Sequence, residues 1–350
     1  MTPLAIRALC PVLLLALLGC GDDNTTALGD MHGEKVVVKK LDCKIKLAFV
    51  TPDRDDFWLH VQAGCKRAEV EFADIAVDFM VGDGTASRQQ KMVADLMASG
   101  VRGFALTPSQ PQEQVAGIRK WRDDVPVICV GADAPASIRS AYVGMDPAAA
   151  GRQCAELLKE ALPGGGGIIA LLEHEDAQNS SLRCQILQAA LSGSPVNIIA
   201  HLSADSERAK TQMLIVDALK KYPDCVALVG LANDQAPLLI KAVQSAQKIG
   251  RVQIITFGDD PATLTAIDQG TVFGTIVQNP FRFGYESMRL LHQLIVENKS
   301  TEDMGLDDQQ RFLIDTTPIR KGEGLRYQIY LDGLKKSLIP VPQSKKSKSY

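Results

Sequence analysis

Little in this chain would serve several common functions. Its 38 Lys and Arg against 41 Asp and Glu give a net charge of −3, so there is no basic field to hold a nucleic acid. The one basic cluster, Lys345, Lys346 and Lys348, lies in a Ser/Lys/Pro-rich end. No two of the 8 cysteines form a C-x-x-C clip, and the 5 histidines, His32, His60, His174, His201 and His292, lack metal-ligand spacing. We therefore expect no metal and no cofactor. There is no G-x-S-x-G, H-E-x-x-H or other nucleophile signature, which argues against an enzyme. Apolar runs are short: Leu9–Leu18 cannot span a bilayer, and nothing later is more apolar over a comparable length.

That first run is informative in another way. Arg7 precedes it and Leu17-Leu18-Gly19-Cys20 closes it, the layout of a secretory signal peptide over residues 1–19. The small residue before a cysteine resembles the lipobox of bacterial lipoproteins. The resemblance implies cleavage before Cys20 and lipid on that cysteine, with the mature chain held outside the cytoplasm, periplasmic or at the cell surface. Residues 20–42, rich in Asp, Asn, Thr, Gly and Lys, read as a tether, and residues 332–350 as a disordered tail. Removing Cys10 and Cys20 leaves six cysteines: Cys43, Cys65, Cys129, Cys154, Cys184 and Cys225. Export permits disulfides, while their apolar surroundings equally suit buried small hydrophobes.

From Ile45 the chain alternates short apolar runs with helical patterns. Strands are expected at Ile45–Val50, Ile75–Val81, Gly103–Leu106, Val125–Val130 and Ala141–Val143. Phe57, Val61, Cys65, Ala68 and Phe72 form one helical stripe, and Ser87–Ala98 is a helix closed by Gly100. The pattern restarts after Asp146, with strands at Ile168–Leu172, Val196–Ala200, Val226–Val229, Val252–Phe257 and Val272–Val277. A helix over Ser206–Lys221 is expected to bury Ala209, Met213, Val216 and Leu219, and a last helix covers about Phe281–Glu297. Strands apolar throughout and separated by helices predict parallel sheets covered on both faces. Two such blocks predict an α/β protein of two doubly wound, Rossmann-like lobes, with ligand loops at the carboxyl ends of the strands.

Pro163–Gly167 is not a phosphate loop, because it leaves a helix and enters a strand, the reverse of that motif. Glu173-His174-Glu175-Asp176 is a titratable cluster that reads best as a solvated loop. The loop after the first strand holds Asp55, then Phe57 and Trp58 at a helix start. Aromatics at a cleft suit a sugar, whose C–H faces pack on a ring while its hydroxyls need fixed partners. Later loops carry Asp133, Asp146, Asn179, Arg183, Asn233 with Asp234, Asp259 with Asp260, and Gln278. Any one of these could be a cap or turn residue. Their recurrence at one end of successive strands describes a site for a polyhydroxylated molecule.

These pieces, in order, resemble the type I periplasmic sugar-binding proteins of bacterial ABC importers, the ribose-binding type. The resemblance rests on Asp56-Phe57-Trp58 after the first strand, Gly103–Pro108, Ala132–Pro135 with Tyr142–Asp146, Asn179–Arg183, Ala232-Asn233-Asp234, Phe257–Pro261, and Thr275–Pro280 with Phe283-Gly284-Tyr285. It implies lobe 1 at 43–145 and 279–311, lobe 2 at 146–278 and 312–331, and a hinge of three crossings. It implies a monomer that takes a small sugar or polyol and passes it to a permease. Two departures are Gly131 and Gly258, where relatives commonly carry a sugar-gripping aspartate. They point to a modified or acidic ligand with Arg183 as counter-charge. A sensory receptor of the same fold, signalling to a kinase or chemotaxis partner, is the alternative. A LacI-type repressor fails because an export signal stands where a helix-turn-helix would be.

Overall fold

The computed structural model describes residues 44–336 except 56, 174–177, 206 and 234, together with the backbone of 25–29 and 35–39. The signal segment, Cys20, Cys43, the cluster 174–176, Asp234 and residues 337–350 lie outside the described residues. The chain divides into two units, 1–43 and 44–350. In the first, β1 (Thr25–Gly29) and β2 (Lys35–Lys39) pair antiparallel within the segment read as a tether.

The second unit contains both lobes. The first is built from β3 (Ile45–Val50), α1 (Phe57–Glu71), β4 (Ile75–Met80), α2 (Ala86–Ala98), β5 (Gly103–Leu106), α3 (Pro111–Asp124), β6 (Val127–Val130) and β7 (Ala141–Met145). The second follows as α4 (Pro147–Ala161), β8 (Gly166–Leu172), α5 (Gln178–Ala190), β9 (Val196–Ser203), α6 (Arg208–Lys221), β10 (Cys225–Gly230), α7 (Ala236–Ser245), β11 (Gln253–Phe257), α8 (Pro261–Asp268) and β12 (Gly274–Val277). The chain returns to the first lobe through α9 (Pro280–Ile295) and β13 (Arg311–Ile314). It then enters the second through β14 (Thr317–Arg320) and ends in α10 (Gly324–Lys336).

Each lobe carries a six-stranded sheet, ordered β13-β7-β6-β5-β3-β4 and β14-β12-β11-β10-β8-β9. All pairings are parallel except β12 with β14. The order reverses direction between β3 and β5 in one sheet and between β8 and β10 in the other. Loops on the two sides of each reversal diverge and leave a crevice, the usual ligand position of such sheets. The apolar runs explain the fold: β5, β6, β7, β10 and β12 are buried along almost their whole length, as strands covered on both faces must be. The first lobe recovers α9 through close helix packing. A Cβ on Gly64 would strike the Phe281 carbonyl oxygen of α9, and one on Gly284 would strike that of Val61 in α1.

Three expectations change in detail. Phe312, Leu313 and Ile314 belong to the first lobe, because this apolar run pairs parallel with β7; the third crossing is therefore at Asp315 and Thr316, not at 311/312. Residues 332–336 are helical, so a disordered tail cannot begin at 332. In α6 the buried face is Thr211, Ile215, Ala218 and Leu219, while Met213 is 66% exposed, because the helix is rotated from the expected stripe. The five described cysteines, Cys65, Cys129, Cys154, Cys184 and Cys225, are buried free thiols whose pKa values burial raises. They pack as small hydrophobes.

Candidate functional site

On the first lobe, the loop after β3 is organised by its own polar groups. Thr51 is buried and its hydroxyl donates to the Asp53 carbonyl at 2.8 Å. The Asp53 carboxylate accepts from Trp58 Nε1 at 2.9 Å, and Asp55 Oδ1 accepts from the Phe57 backbone N–H at 2.8 Å. Asp55 thus caps the start of α1 while remaining exposed. Phe57 stands edge-on to both Trp58 and Phe283, with centroids 5.0 and 5.8 Å apart. Trp58 leans on Phe49 at 6.4 Å. Phe57 and Trp58 are both half-buried, forming an aromatic wall held from behind by the core.

Gln89, which the sequence reading passed over, ties this loop to its neighbour across the reversal point. Its fully buried amide donates to the carbonyls of Thr51 (3.0 Å) and Thr107 (2.8 Å). Its oxygen accepts from the Ser109 N–H and hydroxyl and from Gln114. Gln235 plays a similar part in the second lobe, donating to the Leu172 carbonyl and accepting from the Ala232 N–H. A lone glutamine on an apolar face was the available signal.

The loop after β6 behaves differently from expectation. Asp133 is gripped by both arms of Arg139, at 2.6 and 2.7 Å, and Arg139 is only 4% exposed. The aspartate is therefore committed to a bidentate pair within its own lobe. Beside it the Gly131 carbonyl accepts two hydrogen bonds of 3.0 Å, from the Tyr142 hydroxyl and from Asn179 Nδ2 of the second lobe. Asp133, Arg139, Tyr142 and Asn179 line a cavity of about 590 Å³ next to the crossings. Trp58, Asn233, Asp259 and Gln278 are not among its walls.

On the second lobe, Arg183 lies one turn beyond Asn179 in α5 and is 5% exposed. It donates through Nη1 to the Leu231 carbonyl and contacts Met145 Sδ through Nη2 at 3.0 Å. Its guanidinium lies over the Phe257 ring at 4.8 Å. Burial pushes its pKa down to about 10, and Nε has no hydrogen-bond partner among the described residues. Asn233 and Gln278 join loops after β10 and β12 through a 2.7 Å bond from Gln278 Nε2 to Asn233 Oδ1.

Gly131 and Gly258 have φ of +71° and +104°, left-handed backbone that disfavours a side chain. At Gly258 a Cβ would already touch Asn233, at 3.4 Å from its Cα. The adjacent Asp259 is half-buried. Burial, then the Asp260 charge, with a smaller contribution from Asp55 on the facing lobe, push its pKa up to about 6. The Tyr327 hydroxyl on α10 is the hydrogen-bonding neighbour of Asp259 and holds that pKa down in part.

Two candidates carry cap roles. Asp146 accepts from the N–H groups of Ala148 and Ala149 and starts α4, and Asp260 accepts from Thr263 to start α8. The structure thus brings together Asn233 with Gln278, and Asn179 with Gly131. It directs Asp133 and Asp146 to internal partners. Among the described residues no three His, Cys, Asp or Glu side chains are placed to hold a metal ion.

Comparison with known proteins agrees with this architecture. Residues 47–299 match the family described as "Periplasmic binding protein domain". The D-allose-binding periplasmic protein of Escherichia coli (strain K12) is 23% identical over 275 residues, covering 74% of this chain and 86% of that protein. The ribose import binding protein RbsB of the same strain is 21% identical over 208 residues, covering 59% and 70% of the two chains. A sugar-binding protein of a sugar ABC transporter from Bacillus halodurans shares the fold. Its TM-score is 0.72 at 19% identity, over 81% of this chain and 99% of that one. With its two parallel-sheet lobes and three crossings, the chain belongs to the periplasmic binding protein family, in its type I, ribose-binding-like form.

Proposed function

We propose that this protein is an extracytoplasmic solute-binding lipoprotein. It captures a small sugar or sugar-like polyol between its lobes and delivers it to an ABC transporter permease. The reading rests on one observation above others: two lobes joined by three crossings present polar loops and an aromatic wall to each other, and they already touch through Asn179 and Gly131. A ligand that contacts both lobes favours the closed arrangement by its differential contacts, and closure makes a surface that a permease can read. The sugars for which the allose-binding and ribose import relatives are named favour a monosaccharide-sized ligand.

A thermal-shift screen of sugars and polyols, with D-allose and D-ribose included, tests the binding step. A ligand of the native state raises the melting temperature in proportion to its occupancy, and a screen with no positive counts against the reading. The anchor is a separate part of the proposal. Cys20→Ser should block lipoprotein processing and leave the chain uncleaved or released from the membrane; unchanged membrane retention and gel mobility would remove the lipid.

A further inference from the structure

We infer that α10 is a strap, rooted in the second lobe, that seats on α1 of the first lobe when the lobes close and helps to hold them together. This role goes beyond ligand capture and is independent of which sugar or polyol is taken.

The root is built from the second lobe. β14 pairs antiparallel with β12, and a short turn leads from it into α10. The Asp268 carboxylate, at the end of α8, accepts from the N–H groups of Gly322 (2.9 Å), Gly324 (3.2 Å) and Leu325 (2.8 Å). α8 thus supplies the acceptor that the first turn of α10 needs. Gly324 lies so close to α8 that a Cβ there would strike the Leu264 carbonyl oxygen. Tyr327 follows, with its hydroxyl beside Asp259, which precedes α8, and beside the Asn279 backbone at the second crossing. α10 therefore runs antiparallel to α8, from its carboxyl end toward the loops of the cleft.

The rest of the helix reaches the other lobe. Gly324, Tyr327, Gln328 and Leu331 share one face and are turned inward, whereas Leu325 and Ile329 are exposed. Leu331, one turn past Tyr327, is 2% exposed. α10 packs on α1 of the first lobe as well as on α8 of the second. α1 is the helix that opens with Phe57 and Trp58, the aromatic wall. With 13 residues, α10 is about 20 Å long, enough to bridge two neighbouring helices. It also lies beyond residue 299, where the family match ends.

The two attachments are unequal. Strand pairing and three hydrogen bonds fix the root, while the far end depends on packing in which Leu331 is the buried apolar residue. When the lobes part, α1 moves away from α8, and the strap leaves α1 rather than its root. A contact made only in the closed form shifts the population toward that form. Belonging to the same chain, the strap meets α1 at a high effective concentration. It raises the closed fraction of the free protein, and ligand completes the closure. A bound ligand then escapes only after the strap lets go.

The test is the distance between the lobes in ligand-free protein, read by pulsed dipolar spectroscopy. Spin labels are placed through Lys91→Cys on α2 and Lys220→Cys on α6, exposed positions on the two lobes and outside α10. The mature chain carries Cys43→Ser and lacks Cys20; the five described native cysteines are buried. We expect the parent to show a population at the closed separation, and Leu331→Asp to lose at least half of it with its far-UV circular dichroism unchanged. Asp268→Ala, which frees the root, should act in the same direction. Leu331→Ala carries the test if Leu331→Asp fails to fold. Fraying of α10 alone moves neither label. The same distance distribution in the parent and the Leu331 variants would overturn the strap, as would a parent with no closed population. Because no ligand is present, that result would leave the sugar reading standing, and a thermal-shift screen without a positive would leave the strap standing.

Discussion

Asn179 Nδ2 donates to the Gly131 carbonyl at 3.0 Å, a hydrogen bond that runs from the first turn of α5 in one lobe to the loop after β6 in the other. The same carbonyl accepts from Tyr142 of its own lobe, so both its lone-pair directions are used when the lobes meet. Opening the cleft breaks the Asn179 bond and leaves the Tyr142 bond intact. Asn179 therefore stabilises the closed form by about 1 kcal/mol, the net value of one such bond. Asn179→Ala should weaken ligand binding roughly fivefold without lowering the melting temperature of the unliganded lobes by a comparable amount. Equal affinity in calorimetric titration would show that this contact does not hold the cleft shut.

Gln89 is the clearest case of a polar group that shapes the site without facing it. Removing its amide leaves the Thr51 and Thr107 carbonyls without their donor, and the Ser109 N–H and Gln114 amide without their acceptor. Each buried group left unpaired costs about 1–3 kcal/mol. Gln89→Leu should lower stability by several such increments and loosen the loop that carries Asp55. A denaturant midpoint within experimental error of the parent would contradict this.

The fold was legible because its strands are apolar along their length and its helices amphipathic, so period and punctuation both survive in one sequence. Site chemistry was legible only in part. Asp133, Asp146, Asp259 and Asp260 look alike in sequence, each an acidic residue just past a strand. Which of them caps a helix, pairs with an arginine or meets a tyrosine depends on contacts such as Arg139 six residues away or Tyr327 on a helix far along the chain. The Gly258 departure was visible, but its left-handed φ of +104° was not. That backbone makes a simple return to aspartate a strained change. The stripe of α6 misled because Thr211 buries its face by accepting from the Asp205 N–H, a bond that hydropathy does not register.

Asp259 gives the protein a pH signature of definite sign. Its folded pKa of about 6 lies above the ordinary carboxylate value of 3.8, so the native state holds the proton more tightly than the unfolded chain. The stability contribution of this group is greatest below about pH 4 and falls as pH rises toward 6, by up to about 1.4 kcal/mol per pH unit within that window. Asp259→Asn removes the titration. In the absence of ligand the variant should melt above the parent at pH 7.5, and the gap should close toward pH 4.5. A gap independent of pH would mean that the carboxylate is not held in the environment described.

The central claim is that a small molecule enters between the two lobes and closes them. Small-angle X-ray scattering of the mature chain, with and without a saturating amount of the sugar that most raises its melting temperature, tests this directly. The account predicts a smaller radius of gyration in the liganded sample. An unchanged radius at full occupancy would contradict it.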